Sequence, residues 1–172
     1  NIDSDNDIRQ AISLKKDTGI DLILTGVAEG WKVAPELAAA KIPVIIDPQE
    51  NLPGNVGKTG ATYSNAALLS KAGVLFAISS GNRNHNAYMV NQMAGIAVAH
   101  GLDWKQALAA ITLNPAVIFG LERSFGSIEK GKVANVAVWD GDPLETTSNT
   151  SHVIVKGVSH PLVSRRTLFR DR

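Results

Sequence analysis

Three short apolar stretches decide the fold of this chain: DLILTG at residues 21–26, IPVIID at residues 42–47 and VLFAI at residues 74–78. Each has the length and composition of a strand that is buried on both faces. Helix-forming segments lie between them, and strands that alternate with helices are typical of a parallel sheet. We expect parallel strands near residues 21–25, 43–47 and 74–78.

The pattern changes after the third strand and its helices. Asp103, with Gln106 three residues later, predicts a helix start, and Asn114-Pro115 predicts the cap of a further short helix. Beyond residue 121 the chain becomes β-rich, with glycines at the turns. We therefore divide the chain into an α/β unit, residues 1–121, and a β-rich unit, residues 122–172.

Composition and charge exclude several classes of protein. Of the 172 residues, 44% are hydrophobic and 19% are charged, which indicates a globular chain rather than a disordered one. The formal net charge of +1 predicts no nucleic-acid partner, and no apolar run reaches the ~18 residues that would predict a membrane span. Cysteine is absent, which excludes disulfides and thiol catalysis and leaves the compartment open.

Polar residues follow the predicted strands, and these residues form the candidate ligand-binding set. In a parallel sheet, ligands bind at the carboxyl ends of the strands. We therefore expect a small molecule to contact Thr25, Glu29, Asp47, Ser80, Asn82 and His85. His85 has two interpretations, a polar contact at the mouth of the site or a solvated histidine in a loop.

The segment GNVGKT at residues 54–59 is similar to a phosphate-binding loop but lacks one required glycine. Such a loop needs glycine five residues before the Gly of Gly-Lys-Thr, and Leu52 occupies that position. An ordinary glycine-rich turn is the better interpretation.

The stretch from residue 114 to residue 145 reads NPAVIFGLERSFGSIEKGKVANVAVWDGDPLE. It closely resembles the C-terminal signature of the amidohydrolase superfamily, the metal-dependent TIM-barrel hydrolases, and in particular its imidazolonepropionase-like members. The matching elements are Thr112, Asn-Pro-Ala at 114–116, Gly-Leu at 120–121, Gly-Ser-Ile-Glu at 126–129, Gly-Lys at 131–132 and the strand at 134–139.

This resemblance implies a fold. The three predicted strands look like the last three strands of a TIM (β/α)8 barrel, and residues 122–172 look like part of the small β-domain that the family builds from both chain ends. A complete barrel takes about 250 residues. The resemblance therefore implies that this chain is the C-terminal portion of such an enzyme.

The resemblance also implies where metal ligands would be found. The family places His-x-His on the first strand, Lys or Glu on the fourth, His on the fifth and sixth, and Asp on the eighth. The sixth-strand His should fall near Thr25 and Gly26, and the eighth-strand Asp should fall near Ser80, Gly81 or Asn82. Neither residue type is present there. We expect no catalytic residue, metal ligand or cofactor in this chain, whereas complete catalytic members would use zinc or another divalent metal.

Two functions are consistent with these residues. The first is an amidohydrolase-like hydrolase acting on non-peptide C–N bonds, cyclic or peptide-like, of which this chain alone is inactive. The alternative is a non-catalytic relative that binds a ligand or a partner protein. In both cases three strands would leave open edges and an apolar face, so we expect self-association or pairing with an N-terminal half.

Overall fold

The three apolar stretches form the parallel sheet that the sequence predicts. The computed structural model describes residues 2–54, 56–81 and 84–163. Strands β1 (Leu24–Gly26), β2 (Val44–Ile46) and β3 (Phe76–Ile78) lie side by side in that order. Both pairings are parallel, with Thr25 opposite Ile45 and Ile45 opposite Ala77. The strand positions and their direction are confirmed, and the sheet is open rather than closed into a barrel.

The segment before the first helix adds one further pairing to the sheet. Ile2 forms an isolated parallel bridge with Gly26. Its N–H donates to the Thr25 carbonyl at 2.9 Å, and its own carbonyl accepts from the Val27 N–H at 2.7 Å. The outer edge of β1 is therefore paired at its carboxyl end, where the following residue, Asp3, reaches the end of the sheet.

Helices connect the strands. The α-helices are α1 (Asp5–Thr18), α2 (Ala34–Ala39), α3 (Asn65–Lys71), α4 (Val90–Ala99), α5 (Trp104–Ile111) and α6 (Leu113–Ile118). Short 3₁₀ turns lie at Gly30–Val33, Pro48–Glu50, Val56–Lys58 and Asn84–Met89. Within the described ranges, no helix has the length and apolar character that crossing a membrane requires.

Two helices begin at side chains that cap their N-termini, whereas a third begins before its predicted cap. Ser4 accepts a hydrogen bond from the Asp7 N–H, and Asp103 accepts from Lys105 and Gln106, so α1 and α5 begin where these side chains satisfy free N–H groups. The prediction that Asn114 caps the last helix is wrong, because α6 already begins at Leu113. The Asn114 side chain instead donates to the Phe76 carbonyl at 2.8 Å, which fixes α6 to β3.

Among the described residues, the two faces of the parallel sheet are covered to different extents. Leu24, Val44, Ile46 and Phe76 are at most 8% exposed and belong to the core that the helices share. Side chains alternate between the faces of a strand. On the other face, Ile23 remains 40% exposed and Leu75 remains 37% exposed. The described residues therefore leave apolar side chains in solvent on that face.

A second sheet follows the last helix. Strands β4 (Val136–Trp139), β5 (Thr150–Val155) and β6 (Val158–His160) pair antiparallel in that order. This confirms the β-structure expected after residue 125, while the division of the chain at residue 121 stays a prediction. The basic cluster Arg165, Arg166, Arg170 and Arg172 lies outside the described residues.

The loop between β4 and β5 packs onto the helices of the first sheet. Leu144 is 5% exposed within the main core. The Asn91 side chain donates to the Pro143 carbonyl at 2.9 Å, and the Trp104 indole N–H donates to the Asp142 carboxylate at 2.8 Å. At Gly95 in α4, the Leu144 carbonyl oxygen approaches so closely that a Cβ atom would collide with it. The loop and α4 are in direct backbone contact here, and no space remains for a side chain at position 95.

Replacing Gly95 with alanine should therefore destabilise the chain despite the better helix propensity of alanine. Overpacking against backbone costs about 1–3 kcal/mol, which exceeds the propensity gain of about 1 kcal/mol. Urea unfolding monitored by circular dichroism measures the change. Gly54→Ala is the matched control, because its new Cβ would meet its nearest atom at an ordinary 3.8 Å. Equal stability of the two variants would contradict this packing.

Candidate ligand-binding site

A cavity of about 400 Å³ opens at the carboxyl ends of the three parallel strands. Each strand supplies one part of its wall, since parallel strands end at the same edge of a sheet. The segment before α1 and the loop after β2 supply the remainder. The lining residues are Asp3, Thr25, Gly26, Ala28, Ile45, Asp47, Gln49, Glu50, Asn51, Lys58, Ser79, Ser80 and Gly81.

The structure brings three of the six predicted site residues to this cavity. Thr25, Asp47 and Ser80 line it. Asn82 lies outside the described residues, and His85 is described only as backbone within the 3₁₀ turn Asn84–Met89. Their binding roles stay predictions.

Glu29, the remaining predicted residue, is not among the residues that line the cavity. It is 3% exposed. Its carboxylate accepts from the Lys32 ammonium at 2.9 Å and from the backbone N–H groups of Gly60 and Asp5 at 2.5 and 3.3 Å. The expectation that Glu29 faces a ligand is therefore corrected. Its carboxylate joins α1, the first 3₁₀ turn and the loop that precedes α3.

Hydrogen bonding keeps Glu29 ionised in spite of its burial. Burial by itself would raise the pKa of this carboxyl. The hydrogen bonds from Lys32, Gly60 and Asp5 outweigh that effect and place the pKa of Glu29 below its usual value. The ionised form is thus the one that the folded chain stabilises.

A strained turn at Val27 connects β1 to Glu29. Val27 has φ +55°, a left-handed conformation that is unfavourable for a β-branched residue. Such residues cost about 1–3 kcal/mol and persist where their surroundings hold them. Here the Asn65 side chain, which is fully buried, donates to the Val27 carbonyl at 2.9 Å and accepts from the Trp31 N–H at 2.9 Å. Asn65 therefore stabilises the turn that directly follows Thr25 and Gly26, two residues that line the cavity.

Asp47 is the half-buried carboxylate at the end of β2. Its Oδ1 atom accepts from the Gln49 N–H at 3.0 Å and starts the following 3₁₀ turn. Burial in the cavity wall is the main effect on this group and raises its pKa, with a further contribution from the nearby Glu50, although Lys58 opposes the shift. The backbone N–H groups of Gln49 and Glu50 also oppose the rise in pKa, but unlike the donors around Glu29 they do not outweigh burial.

Gly81 leaves the space that the Asp47 carboxylate occupies. The Oδ2 atom of Asp47 lies 2.5 Å from the point where a Cβ atom of residue 81 would stand. Gly81 also has φ +68°, which favours glycine. A side chain at position 81 would displace the carboxylate, so these two residues on neighbouring strand ends form one unit of the wall.

The loop after β2 contributes charged and amide residues that the sequence pattern did not indicate. Lys58 lies 3.6 Å from the Asp3 carboxylate and 3.5 Å from the Glu50 carboxylate, so it joins the start of the chain to this loop. Asn51 is 1% exposed, and its Nδ2 donor has no hydrogen-bond partner within the described ranges. A long loop directly after a strand end was the available signal, since such loops are often functional.

The described residues do not fit a complete metal centre. Among them, no three His, Cys, Asp or Glu side chains come close enough together to hold a metal ion. Asp3, Asp47 and Glu50 line one cavity without forming such a group. The chain's own residues at this site can bind and orient a ligand through hydrogen bonds and charge.

Comparison with known proteins defines the class to which the fold and site belong. The sequence profile described as the amidohydrolase family matches residues 10–159. The chain belongs to this family, and the resemblance to the amidohydrolase superfamily is confirmed.

Two curated relatives give the family match more detail. Amidohydrolase tasK from Hapsidospora irregularis is 32% identical over 98 residues, which are 57% of this chain and 10% of that protein. An imidazolonepropionase from Sphingopyxis alaskensis is 44% identical over 50 residues, which are 28% of this chain and 12% of that protein. The chain thus spans about a tenth of each of these relatives.

Solved structures show the same relationship over most of this chain. An amidohydrolase from Thermotoga maritima superposes with a TM-score of 0.84 at 32% identity, covering 91% of this chain and 41% of that one. An adenosine deaminase from Xanthomonas campestris, solved with bound zinc, superposes with a TM-score of 0.63 at 18% identity, covering 98% of this chain and 47% of that one. The second match shows the fold alone.

Replacing Glu29 with glutamine should destabilise the chain near neutral pH by about 1–3 kcal/mol, the cost of disrupting hydrogen bonds to a buried charged group. A lowered folded-state pKa stabilises the chain above the usual carboxyl value of 4.5, and this contribution disappears as the pH falls through the folded-state pKa. The difference from the unaltered chain should therefore shrink between neutral and acid pH in urea unfolding experiments.

Glu36→Gln is the control for that experiment. Glu36 forms an exposed ion pair with Arg9, and such pairs contribute about 0–1 kcal/mol. A loss of stability for Glu29→Gln that is no larger than for Glu36→Gln, or that does not depend on pH, would refute the structural role of Glu29.

Proposed function

We propose that this chain forms a substrate-binding wall of an amidohydrolase-type hydrolase acting on non-peptide C–N bonds, cyclic or peptide-like. One observation carries the proposal: in a member of this family, Thr25, Asp47 and Ser80 from three neighbouring strand ends line a single cavity. Ligands of parallel α/β proteins bind at such an edge. The two uncharged side chains can orient polar groups of a substrate, and Asp47 can accept an N–H.

The chain by itself is expected to be inactive in this proposal. Hydrolysis of a C–N bond needs an activated water and a group that moves protons. The family supplies this chemistry with a divalent metal such as zinc, and the described residues do not fit that metal. The residues available here bind, orient and shield the substrate. The assignment of β1 to β3 as the last three strands of a larger barrel is part of the same proposal.

A non-catalytic relative is the second candidate function. It is favoured by the absence of any metal-holding group of side chains within the described ranges. The same cavity would then bind a ligand, or the open sheet a partner protein, without turnover. The two candidates share the cavity and differ in whether the longest natural polypeptide that contains this chain hydrolyses anything.

Hydrolysis assays with that polypeptide separate the two functions. Cyclic amides, N-acyl amino acids and dipeptides are supplied with and without zinc, and the released amine or acid is measured. We expect metal-dependent hydrolysis of a non-peptide C–N bond by the longest polypeptide and none by the 172-residue chain. Asp47→Asn should lower that activity, and Asp21→Asn, at a fully exposed carboxyl, should not. Stable metal content close to zero with no turnover would support the non-catalytic relative instead.

A further inference from the structure

A second cavity, of about 420 Å³, lies between α4 and the loop that joins β4 to β5. Met93 and Ile96 of α4 and Leu144 of the loop give this helix–loop groove an apolar wall. Gln49 lines both the groove and the cavity at the strand ends, so the two are neighbours. The groove takes no part in the site described above, and exposed apolar surface of this kind marks an interaction site.

The polar side of the helix–loop groove is acidic. Asp142 and Glu145 line it, and no Lys, Arg or His is among its described lining residues. The Trp104 indole N–H and the Leu144 backbone N–H hold the Asp142 carboxylate in place, at 2.8 and 2.9 Å. Glu145 is exposed and forms no ion pair within the described ranges. The groove therefore fits an occupant that has both apolar and cationic side chains.

The sequence after the described residues has this composition. Residues 164–172 read SRRTLFRDR. Four arginines and one aspartate give the segment a formal charge of +3, and Leu168 and Phe169 stand between the arginines. The whole chain carries only +1, so the remaining residues are net negative. Charge and hydropathy of the segment thus complement those of the groove.

The pairing of β6 directs the chain toward the helix–loop groove. β5 begins at Thr150, directly after the loop that lines the groove, and β6 runs antiparallel to it with His160 opposite Val153. The chain therefore leaves β6 in the direction of Thr150. Since opposite residues lie about 5 Å apart and an extended residue spans about 3.3–3.6 Å, residues 164–172 are long enough to reach Glu145.

We propose that residues 164–172 bind in the helix–loop groove of the same chain. Their leucine and phenylalanine cover the apolar wall, and their arginines lie beside Asp142 and Glu145. The bound segment closes a groove that shares Gln49 with the candidate ligand-binding site. This inference goes beyond the proposed function, because it concerns an interaction surface of the chain and holds for the hydrolase and for the non-catalytic relative alike.

A single spin label tests the position of the segment, because the chain contains no cysteine of its own. Thr167→Cys places one thiol within the segment, and a nitroxide is attached to it. Backbone amides of the ¹⁵N-labelled 172-residue chain are then recorded by NMR with the nitroxide oxidised and reduced. We expect the oxidised label to broaden the amides of Gln92, Ile96 and Glu145, since a nitroxide broadens the signals of nearby amides.

Lys16→Cys carries the same label as the matched control, at an exposed position of α1. α1 follows the segment that pairs with β1, whereas α4 packs against β3 at the other edge of the sheet. A label on α1 should therefore leave the amides of the groove sharp. Equal broadening by the two labels, or no broadening by the label at position 167, would overturn the inference.

Charge reversal assigns the contact to the acidic side of the groove. Glu145→Lys should reduce the broadening by the label at position 167 about twofold or more, because attraction becomes repulsion. Arg165→Glu and Arg166→Glu in the same chain should restore it. Asp21→Lys, at a fully exposed carboxyl, should leave the broadening unchanged. Broadening that is insensitive to Glu145→Lys would contradict the charge pairing.

A mixed sample shows whether the segment binds its own chain. Unlabelled chain that carries the nitroxide is added to ¹⁵N-labelled chain without cysteine. Broadening in this mixture as strong as in the single-chain sample would overturn the assignment to the same chain and point to a second copy. If Glu145→Lys loses its helical circular dichroism spectrum, the comparison of the two label positions decides. None of these results depends on hydrolysis, so the proposed function is tested separately.

Discussion

The parallel register of three short strands is the constraint on which the rest of the structure depends. Thr25, Ile45 and Ala77 lie opposite one another, so β1, β2 and β3 end at the same edge. That edge brings together residues from three distant parts of the sequence. A shift of one residue in any strand would turn its side chains to the opposite face of the sheet. The residues at the end of that strand would then no longer line the cavity.

Two carboxylates near this edge, Glu29 and Asp47, lie in different electrostatic environments. Glu29 is buried among donors that keep it ionised, and with Asn65 it fixes the turn that follows β1. Asp47 is half-buried, and its backbone hydrogen bonds and Lys58 do not outweigh the effect of burial, so its pKa is raised. The first arrangement stabilises the fold, whereas the second places a carboxyl with a raised pKa in the wall of the cavity. Carboxyls of the second kind are common at functional sites.

The strands could be predicted because their signal is local. Each strand is an apolar run between helices. The residue at or just after its carboxyl end lines the cavity, as Thr25, Asp47 and Ser80 do. Glu29 fails the same rule because proximity to a strand end does not say which way a side chain points. Asp3, Asn51 and Lys58 could not be placed, since they reach the cavity through contacts between segments far apart in sequence. Asn114 was misassigned because its bond to Phe76 is tertiary.

The uncovered face of the parallel sheet has a consequence for association. Ile23 and Leu75 are exposed there, and apolar sheet faces of this kind are rarely left in solvent by isolated proteins. We propose that a second copy of the chain, or an N-terminal half of the barrel, covers this face. Sedimentation velocity of the 172-residue chain from dilute to concentrated solution tests this most directly. We expect dimers or larger species that persist on dilution, and a stable monomer with cooperative thermal unfolding at every concentration would contradict the proposed covering of this face.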